Sequence, residues 1–271
     1  MFKNASREPE VRPNKLMGQN FLTNRAFLEK IALALDIKEG DRLIEVGPGT
    51  GNLTDYLINS MAKEILAIEK DKGLAIGLIN KYRDISKLTV LPQDILFWLS
   101  QPQNEQKLPN YKVVGNIPYY LTGQLIRLLL NGEFQPMSIV LTVQKEVAQR
   151  IVAQPPQMTA LSAIVQTLSE PKIVFDIGKS NFNPIPKVDS AVISIKPRPI
   201  YDSAQTRFII KTIKTGFLHP RRLLLSNLAE GLGLEKNKIT SIFTSLNWDI
   251  KLRAQNLTVN DWKKISVALN S

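Results

Sequence analysis

Residues 42–54 read Arg-Leu-Ile-Glu-Val-Gly-Pro-Gly-Thr-Gly-Asn-Leu-Thr. A short apolar run stops abruptly at glycines, and helical periodicity then takes over in TGNLTDYLINSM (50–61). That pattern predicts a buried strand, a tight turn and a helix. Upstream, Phe27, Leu28, Ile31 and Leu35 recur at helical spacing. Downstream, EILAIE (64–69), KLTVLP (87–92), KVVGN (112–116) and MSIVLTV (137–143) read as further strands, with helices over 71–82 and 123–130 between them. Strands alternating with helices imply βαβ units, hence a parallel sheet covered by helices on both faces.

The pattern changes after Glu146. A helical stretch is broken by Pro155-Pro156, and two more strands follow, KIVFDI (172–177) and VDSAVISIK (188–196). The loop GKSNFNPIPK between them is too short for a crossover helix, so the pair is expected to be antiparallel and to close one edge of the sheet. KPRPI (196–200) is a stiff Pro-rich linker. Beyond it FIIKTIK, RRLLLSNLAEGL, KITSIFTSL and VNDWKKISVAL read as short helices. The expected fold is therefore α/β, a Rossmann-like, mostly parallel sheet with one antiparallel edge strand. The expected domains are 1–200, with 1–24 as an N-terminal arm, and a small helical domain over 201–271. A length of 271 residues suits roughly two domains of ~150 residues or fewer.

Composition removes several kinds of chemistry. With no cysteine and one histidine, His219, there are no disulfides, thiolate metal sites or cysteine nucleophiles, and His-based metal sites are nearly excluded. No metal site is expected. No run approaches the ~20 apolar residues of a membrane span, and MFKNASREPEVRPNK has no apolar core of a signal peptide, so a cytoplasmic protein without a membrane is the expectation. The formal charge is +11, and residues 191–271 hold 13 Lys and Arg against 5 Asp and Glu. A basic C-terminal part on a near-neutral body suggests a partner bearing phosphates.

The glycine turn is Glu45-Val-Gly47-Pro-Gly49-Thr-Gly51. Its glycines let the backbone approach a ligand, and a helix N-terminus follows. A dinucleotide fingerprint would need glycine at position 52, which is Asn52. Glu69 ends the second strand of this series, where a carboxylate can accept both ribose hydroxyls of a nucleoside. Asp94, after the third, is placed to accept from an exocyclic adenine amine. A nucleoside without a pyrophosphate is implied, and S-adenosylmethionine fits best.

After the fourth strand comes Gly115-Asn116-Ile117-Pro118-Tyr119-Tyr120. Pro118 biases Ile117 away from helical dihedrals, which lets its carbonyl point into a site. The Asn116 side-chain oxygen and that carbonyl form two acceptors for the hydrogens of a flat amino group, and catalysis is then positioning plus electrostatics. Tyr119 offers a stacking face, and Phe182 in NFNPIPK an opposite one. A nicotinamide dehydrogenase would share the Glu69 logic, but Asn52 and the lack of a hydride-polarising histidine count against it. A non-catalytic RNA-binding factor would not need Asn116, Tyr119 and Glu69 together.

These residues resemble the ribosomal RNA small-subunit adenine N6,N6-dimethyltransferases, of the KsgA/RsmA type, over nearly the whole chain. KLMGQNFL (15–22) looks like that family's N-terminal signature, EVGPGTGNLT its cofactor motif and GNIPYY its catalytic motif. VQKEVAQRI, FNPIPKVDSAVI, HPRRLLLSNL and RAQNLTVNDW match its later blocks. The resemblance implies that Asn20, Leu22, Gly47, Gly49, Glu69, Lys70, Asp94, Ile95 and Asn116 contact S-adenosyl-L-methionine. It also implies that Asn116 to Tyr119 form the catalytic loop, and that Lys187, Arg221 and Arg222 meet RNA. The implied substrate is a pair of adjacent adenosines near the 3′ end of small-subunit rRNA, dimethylated within a pre-30S particle by a monomer. Met158-Thr159-Ala160 stands where the family usually has Tyr-Gly, and RRLLL replaces a more basic pattern.

Overall fold

The computed structural model describes residues 19–101, 110–131, 135–198 and 203–270. Most of the N-terminal arm, the start of KLMGQNFL and the end of the KPRPI linker lie outside the described residues. By chain contacts the molecule divides into two compact units, one of Met1–Lys145 with Val174–Ser194 and one of Glu146–Ile173 with Ile195–Ser271. The helical unit thus takes in residues 146–173 as well as 195–271, where the sequence pattern places its start at 201.

The sheet unit begins with β1 (Phe21–Leu22) and α1 (Arg25–Ala34). Asn24 caps α1, its side chain accepting from the Ala26 amide at 3.0 Å. Such a cap satisfies one of the amides that a helix leaves without an intrahelical partner. Four parallel strands follow with helices between them: β2 (Arg42–Val46), α2 (Thr54–Ile58), β3 (Glu64–Glu69), α3 (Lys72–Lys81), β4 (Leu88–Pro92), α4 (Ile95–Leu99) and β5 (Tyr111–Asn116). α5 (Thr122–Asn131) and β6 (Ser138–Gln144) complete the series. β2 pairs in parallel with both β3 and β5, while β3 pairs with β4 and β5 with β6. Leu43, Ile44, Val113, Val114, Ile139 and Val140 have essentially no exposed surface, as parallel strands buried on both faces require.

The chain leaves β2 towards β3 on one side and returns on the other as β5. The strand order therefore reverses at β2, and ligands of such sheets sit above the carboxyl ends at that reversal. The order of the seven-stranded sheet is β4-β3-β2-β5-β6-β9-β7, with β7 (Ser169–Ile177) and β9 (Ser190–Pro197) forming the antiparallel edge. The later strand is the inner one: β9 lies beside β6, and β7 takes the rim. A separate two-stranded ribbon joins β1 to β8 (Phe182–Asn183), with Leu22 opposite Phe182.

The helical unit holds α6 (Lys145–Val152), which begins one residue before it, α7 (Ala160–Leu168), α8 (Ser203–Gly216), α9 (Leu224–Leu232), α10 (Lys236–Ser245) and α11 (Val259–Asn270). Its core gathers Met158, Ile213, Leu228, Ile239, Phe243, Trp262 and Ile265. Thr159 and Ser162 form a capping box on α7, and Gly233 at φ 65° closes α9, where the Leu234 amide reaches back to the Ala229 carbonyl at 3.0 Å. Among the described residues no helix is long and apolar enough to cross a membrane, and no group of His, Asp and Glu could hold a metal ion.

Candidate active site

A cleft opens over the carboxyl ends of β2, β3 and β5, and the described residues that line it all belong to the sheet unit. It encloses about 1130 Å³, a space that includes its open mouth. Asn20, Leu22, Gly47, Gly49, Glu69, Lys70, Asp94, Ile95, Asn116, Ile117, Pro118 and Tyr119 all line it. Those positions come from five separate stretches of chain, and the topology brings them to one edge.

The glycine turn forms the floor. Gly47 and Gly49 have φ near +60°, a region that costs L-residues about 1–2 kcal/mol. A side chain at Gly47 would meet nothing within 4 Å, leaving open space over the backbone, whereas a Cβ at Gly49 would come within 2.7 Å of the Phe21 ring. The second contact shows why the turn needs glycine: β1 lies directly upon it. Asn52 fastens that strap, its Nδ2 donating to the Leu22 carbonyl at 2.8 Å. In the sequence Asn52 only spoiled a dinucleotide pattern. Its partner is 30 residues away, so no local signal shows its role.

Glu69 closes the end of β3. The Gly49 amide donates to its Oε2 at 3.0 Å and the Asp71 amide to its Oε1 at 2.8 Å. Burial pushes its carboxyl pKa up, and the two amides only partly pull it back. Each oxygen keeps a lone pair for a hydroxyl, the pattern that two ribose hydroxyls require. Asp94 caps α4, its Oδ1 accepting from Leu96 at 2.8 Å, while Lys70 Nζ sits 2.9 Å from Oδ2. Burial raises the Asp94 carboxyl, but Lys70 and the backbone donors outweigh it and hold the group below its usual value. Asp94 therefore faces the cleft as an anion, and Lys70 is its mostly exposed counter-ion.

Asn116 ends β5, and its Nδ2 donates to the Asn20 carbonyl at 2.9 Å. That bond orients the amide and leaves Oδ1 as the acceptor. Ile117 is buried, anchoring the loop, and Pro118 at φ −55° and ψ 135° leads into a 3₁₀ turn over Tyr119–Leu121. The Tyr119 hydroxyl lies 2.9 Å from the Ser190 hydroxyl on β9, and burial raises its pKa. Tyr120, 65% exposed, stands at the mouth of the same cleft. The doubled tyrosine was the one signal for it.

Glu45 is a third carboxyl in the lining, one that the sequence pattern shows only as part of a turn. It is fully buried, accepts from Thr54 Oγ1 at 2.7 Å and keeps Oε1 without a partner. Burial, aided by Glu69 and Asp55, pushes it up to about 8 against the Thr54 hydrogen bond.

Phe182 departs from expectation. It is 3% exposed, pairs with Leu22 across the β1–β8 ribbon and joins the core with Leu28, Leu53 and Ile177. It is not part of the cleft lining, because burying its ring seats β1. Outside the cleft, Lys187 is exposed, and so are Arg221 and Arg222, but Arg222 is 2.8 Å from Glu230. His219 lies 3.4 Å from the same carboxylate and is not one of the lining residues.

A parallel sheet with a nucleoside cleft over its switch point and an Asn-Ile-Pro-Tyr loop defines a Rossmann-like methyltransferase. The model of the family described as "Ribosomal RNA adenine dimethylase" matches residues 11–270. A ribosomal RNA small subunit methyltransferase A of Dehalococcoides mccartyi is 35% identical over 257 residues, which cover 94% of this chain and 88% of that protein. The protein of the same description from Crocosphaera subtropica is 36% identical over 265 residues, covering 94% and 97%. A solved dimethyladenosine transferase of Plasmodium falciparum superposes with TM-score 0.78 at 25% identity, over 92% of this chain and 97% of that one. The 23S rRNA methyltransferase ErmE, at 21% identity and TM-score 0.75 over 93% and 100%, shares the fold. The chain belongs to the ribosomal RNA adenine dimethylase family, whose methyl donor is S-adenosylmethionine. The residues present fit that donor: a carboxylate with free lone pairs at Glu69, an anionic Asp94 and glycine backbone in place of side chains.

Proposed function

We propose that this protein dimethylates N6 of two adjacent adenosines near the 3′ end of small-subunit (16S) rRNA, acting as a monomer on a pre-30S particle in the cytoplasm. The observation that carries the reading is Asn116, whose amide is tied to Asn20 so that Oδ1 remains an acceptor at the end of β5. The printed names of the small-subunit relatives support the choice of rRNA.

When bound, S-adenosylmethionine supplies a methyl group on a positively charged sulfur. Glu69 accepts the ribose hydroxyls, Asp94 the exocyclic amine of the cofactor adenine, and Lys70 holds Asp94 in its anionic form. The backbone at Gly47 and Gly49 with Asn20, Leu22 and Ile95 shapes the remaining walls. For the target adenosine, Asn116 Oδ1 and the Ile117 carbonyl accept the two N6 hydrogens and draw the nitrogen out of conjugation, so that its lone pair becomes available. Tyr119, fixed through its hydroxyl, stacks on the base, which leaves its helix at a cost of a few kcal/mol. Phe182 acts from the core by seating the strap that carries Asn20. The ammonium formed on N6 is strongly acidic and releases its proton to water, so a general base is unnecessary. Lys187, Arg221 and Arg222 contribute to RNA contact from outside the cleft.

Dimethylated N6 cannot donate on the pairing edge, which makes primer extension a direct test. After incubation with S-adenosylmethionine and unmethylated small subunits, stops are expected at two adjacent adenosines near the 3′ end. Unchanged extension there would refute the assignment.

A further inference from the structure

We infer that the outer face of α8, formed by Arg207, Lys211 and Lys214, is a phosphate-tracking surface that grips the RNA substrate. The inference rests on the reading of the protein as an rRNA methyltransferase and deepens it by naming where in the helical unit the grip lies. Along α8, Ala204, Arg207, Lys211 and Lys214 are exposed, while Ile209, Thr212 and Ile213 are buried. Spacings of three and four residues put the exposed set on one helical face. Arg207 and Lys214 are seven residues apart, roughly 10 Å along the axis. That is about one Debye length at 0.1 M salt, so the three charges act together on one short run of phosphates.

A merely solvated helix face usually mixes signs, because opposite charges four residues apart support a helix and like charges weaken it. This helix contains no Asp or Glu between residues 203 and 216. Among the described residues none of the three cations is in an ion pair, whereas Arg222 and Arg198 of the same unit sit 2.8 Å from Glu230 and 3.5 Å from Glu170. Three like charges at helical neighbour positions, without an ion-pair partner among the described residues, are a surface complementary to an external polyanion. A lipid headgroup layer fits less well. A helix lying on a bilayer needs an apolar face to insert, and the apolar face of α8 is already committed to the core of its own unit.

The test compares the full-length protein with a triple variant, Arg207→Gln, Lys211→Gln and Lys214→Gln, and with a control carrying Lys30→Gln, Lys63→Gln and Lys72→Gln, three exposed lysines of the sheet unit. Binding to unmethylated small subunits is measured over a salt series. Each phosphate contact contributes ~0.7–0.9 to the slope of log affinity against log salt. The stripe variant should therefore lose about 2–3 of that slope and bind about 100-fold more weakly at 0.1 M salt. The control should stay near wild type, and S-adenosylmethionine affinity by calorimetry should be unchanged in all three, which shows that the cleft is folded. Equal losses in the stripe variant and the control, or an unchanged slope in the stripe variant, overturn the inference while leaving the assigned activity standing. Loss of binding to phosphatidylserine vesicles with unchanged binding to small subunits overturns it as well. A wild-type protein that neither bound nor methylated the subunits would overturn the stripe and the assigned function together.

Discussion

Replacing Glu69 by Gln separates a ligand-binding carboxylate from a structural one. The side chain keeps its shape, but both oxygens of the native carboxylate accept from backbone amides, Gly49 at 3.0 Å and Asp71 at 2.8 Å. Either orientation of a Gln amide turns its NH₂ against one of those N–H groups. One charge-assisted hydrogen bond is lost, worth ~1.5–3 kcal/mol. For the unliganded fold that loss is offset, because the native carboxylate is buried and its pKa is already raised. Removing the charge relieves that desolvation, and the melting temperature should fall by no more than a few degrees. For the cofactor there is no such compensation. The ribose hydroxyls lose an anionic acceptor and meet an NH₂ that can only donate. Affinity for S-adenosylmethionine should therefore fall by ~10–100-fold, the equivalent of the same ~1.5–3 kcal/mol. Calorimetric titration read beside a thermal melt gives both numbers on one preparation. Affinity within twofold of wild type, with a melting point several degrees lower, would show that Glu69 only ties the glycine turn to β3.

The other perturbations act at single named contacts. Asn116→Ala should lower the single-turnover methylation rate by ~10²–10³-fold, the usual cost of removing one oriented polar group from the reacting atoms, while cofactor affinity by calorimetry stays near wild type. Gly49→Ala places a Cβ 2.7 Å from the Phe21 ring at a positive φ, so cofactor affinity should fall at least about tenfold. Adding Phe21→Ala should recover part of that loss, because it removes the clash but not the backbone strain. Glu45 should impose a pH dependence on stability. Its native pKa of about 8 exceeds the ordinary 4.5, so the folded state holds a proton that the unfolded chain gives up, and wild-type stability should decline as pH rises from 4.5 towards 8. Glu45→Gln should match wild type in urea melts at low pH and exceed it by a few kcal/mol above pH 8, since each tenfold change in proton affinity on folding is worth about 1.4 kcal/mol. Parallel stability curves for the two proteins would refute that reading.

What the sequence disclosed follows from how local each signal is. The strands and the glycine turn are contiguous patterns, so 42–54 alone led to a βα unit and the rest of the sheet followed by repetition. Glu69, Asp94 and Asn116 were legible because each ends a parallel strand or directly follows one, and that edge of such a sheet is where ligands bind. Contacts made across the fold were not legible. The Asn52 bond to Leu22 and the Tyr119 bond to Ser190 span 30 and 71 residues. Phe182 shows the same limit from the other side. An aromatic in a loop motif can face a cleft or fill a core, and only the pairing of β8 with β1 settles it for the core. Glu45 stood in the quoted stretch from the start, yet its burial depends on both neighbours of β2 and on Thr54. The C-terminal charge excess was visible, but not its arrangement. The α8 face emerges only when exposure is known residue by residue, and Arg222 loses prominence once Glu230 is seen beside it.

Methyl transfer to the intact subunit tests the assigned activity most directly. Unmethylated small subunits are incubated with the protein and isotopically labelled S-adenosylmethionine, the 16S rRNA is digested, and its nucleosides are resolved by mass spectrometry. The prediction is label in N6,N6-dimethyladenosine, two methyl groups on each of two residues per subunit, with the Asn116→Ala variant forming almost none. Label in any other nucleoside, or no label with wild-type protein that binds the cofactor, would contradict it.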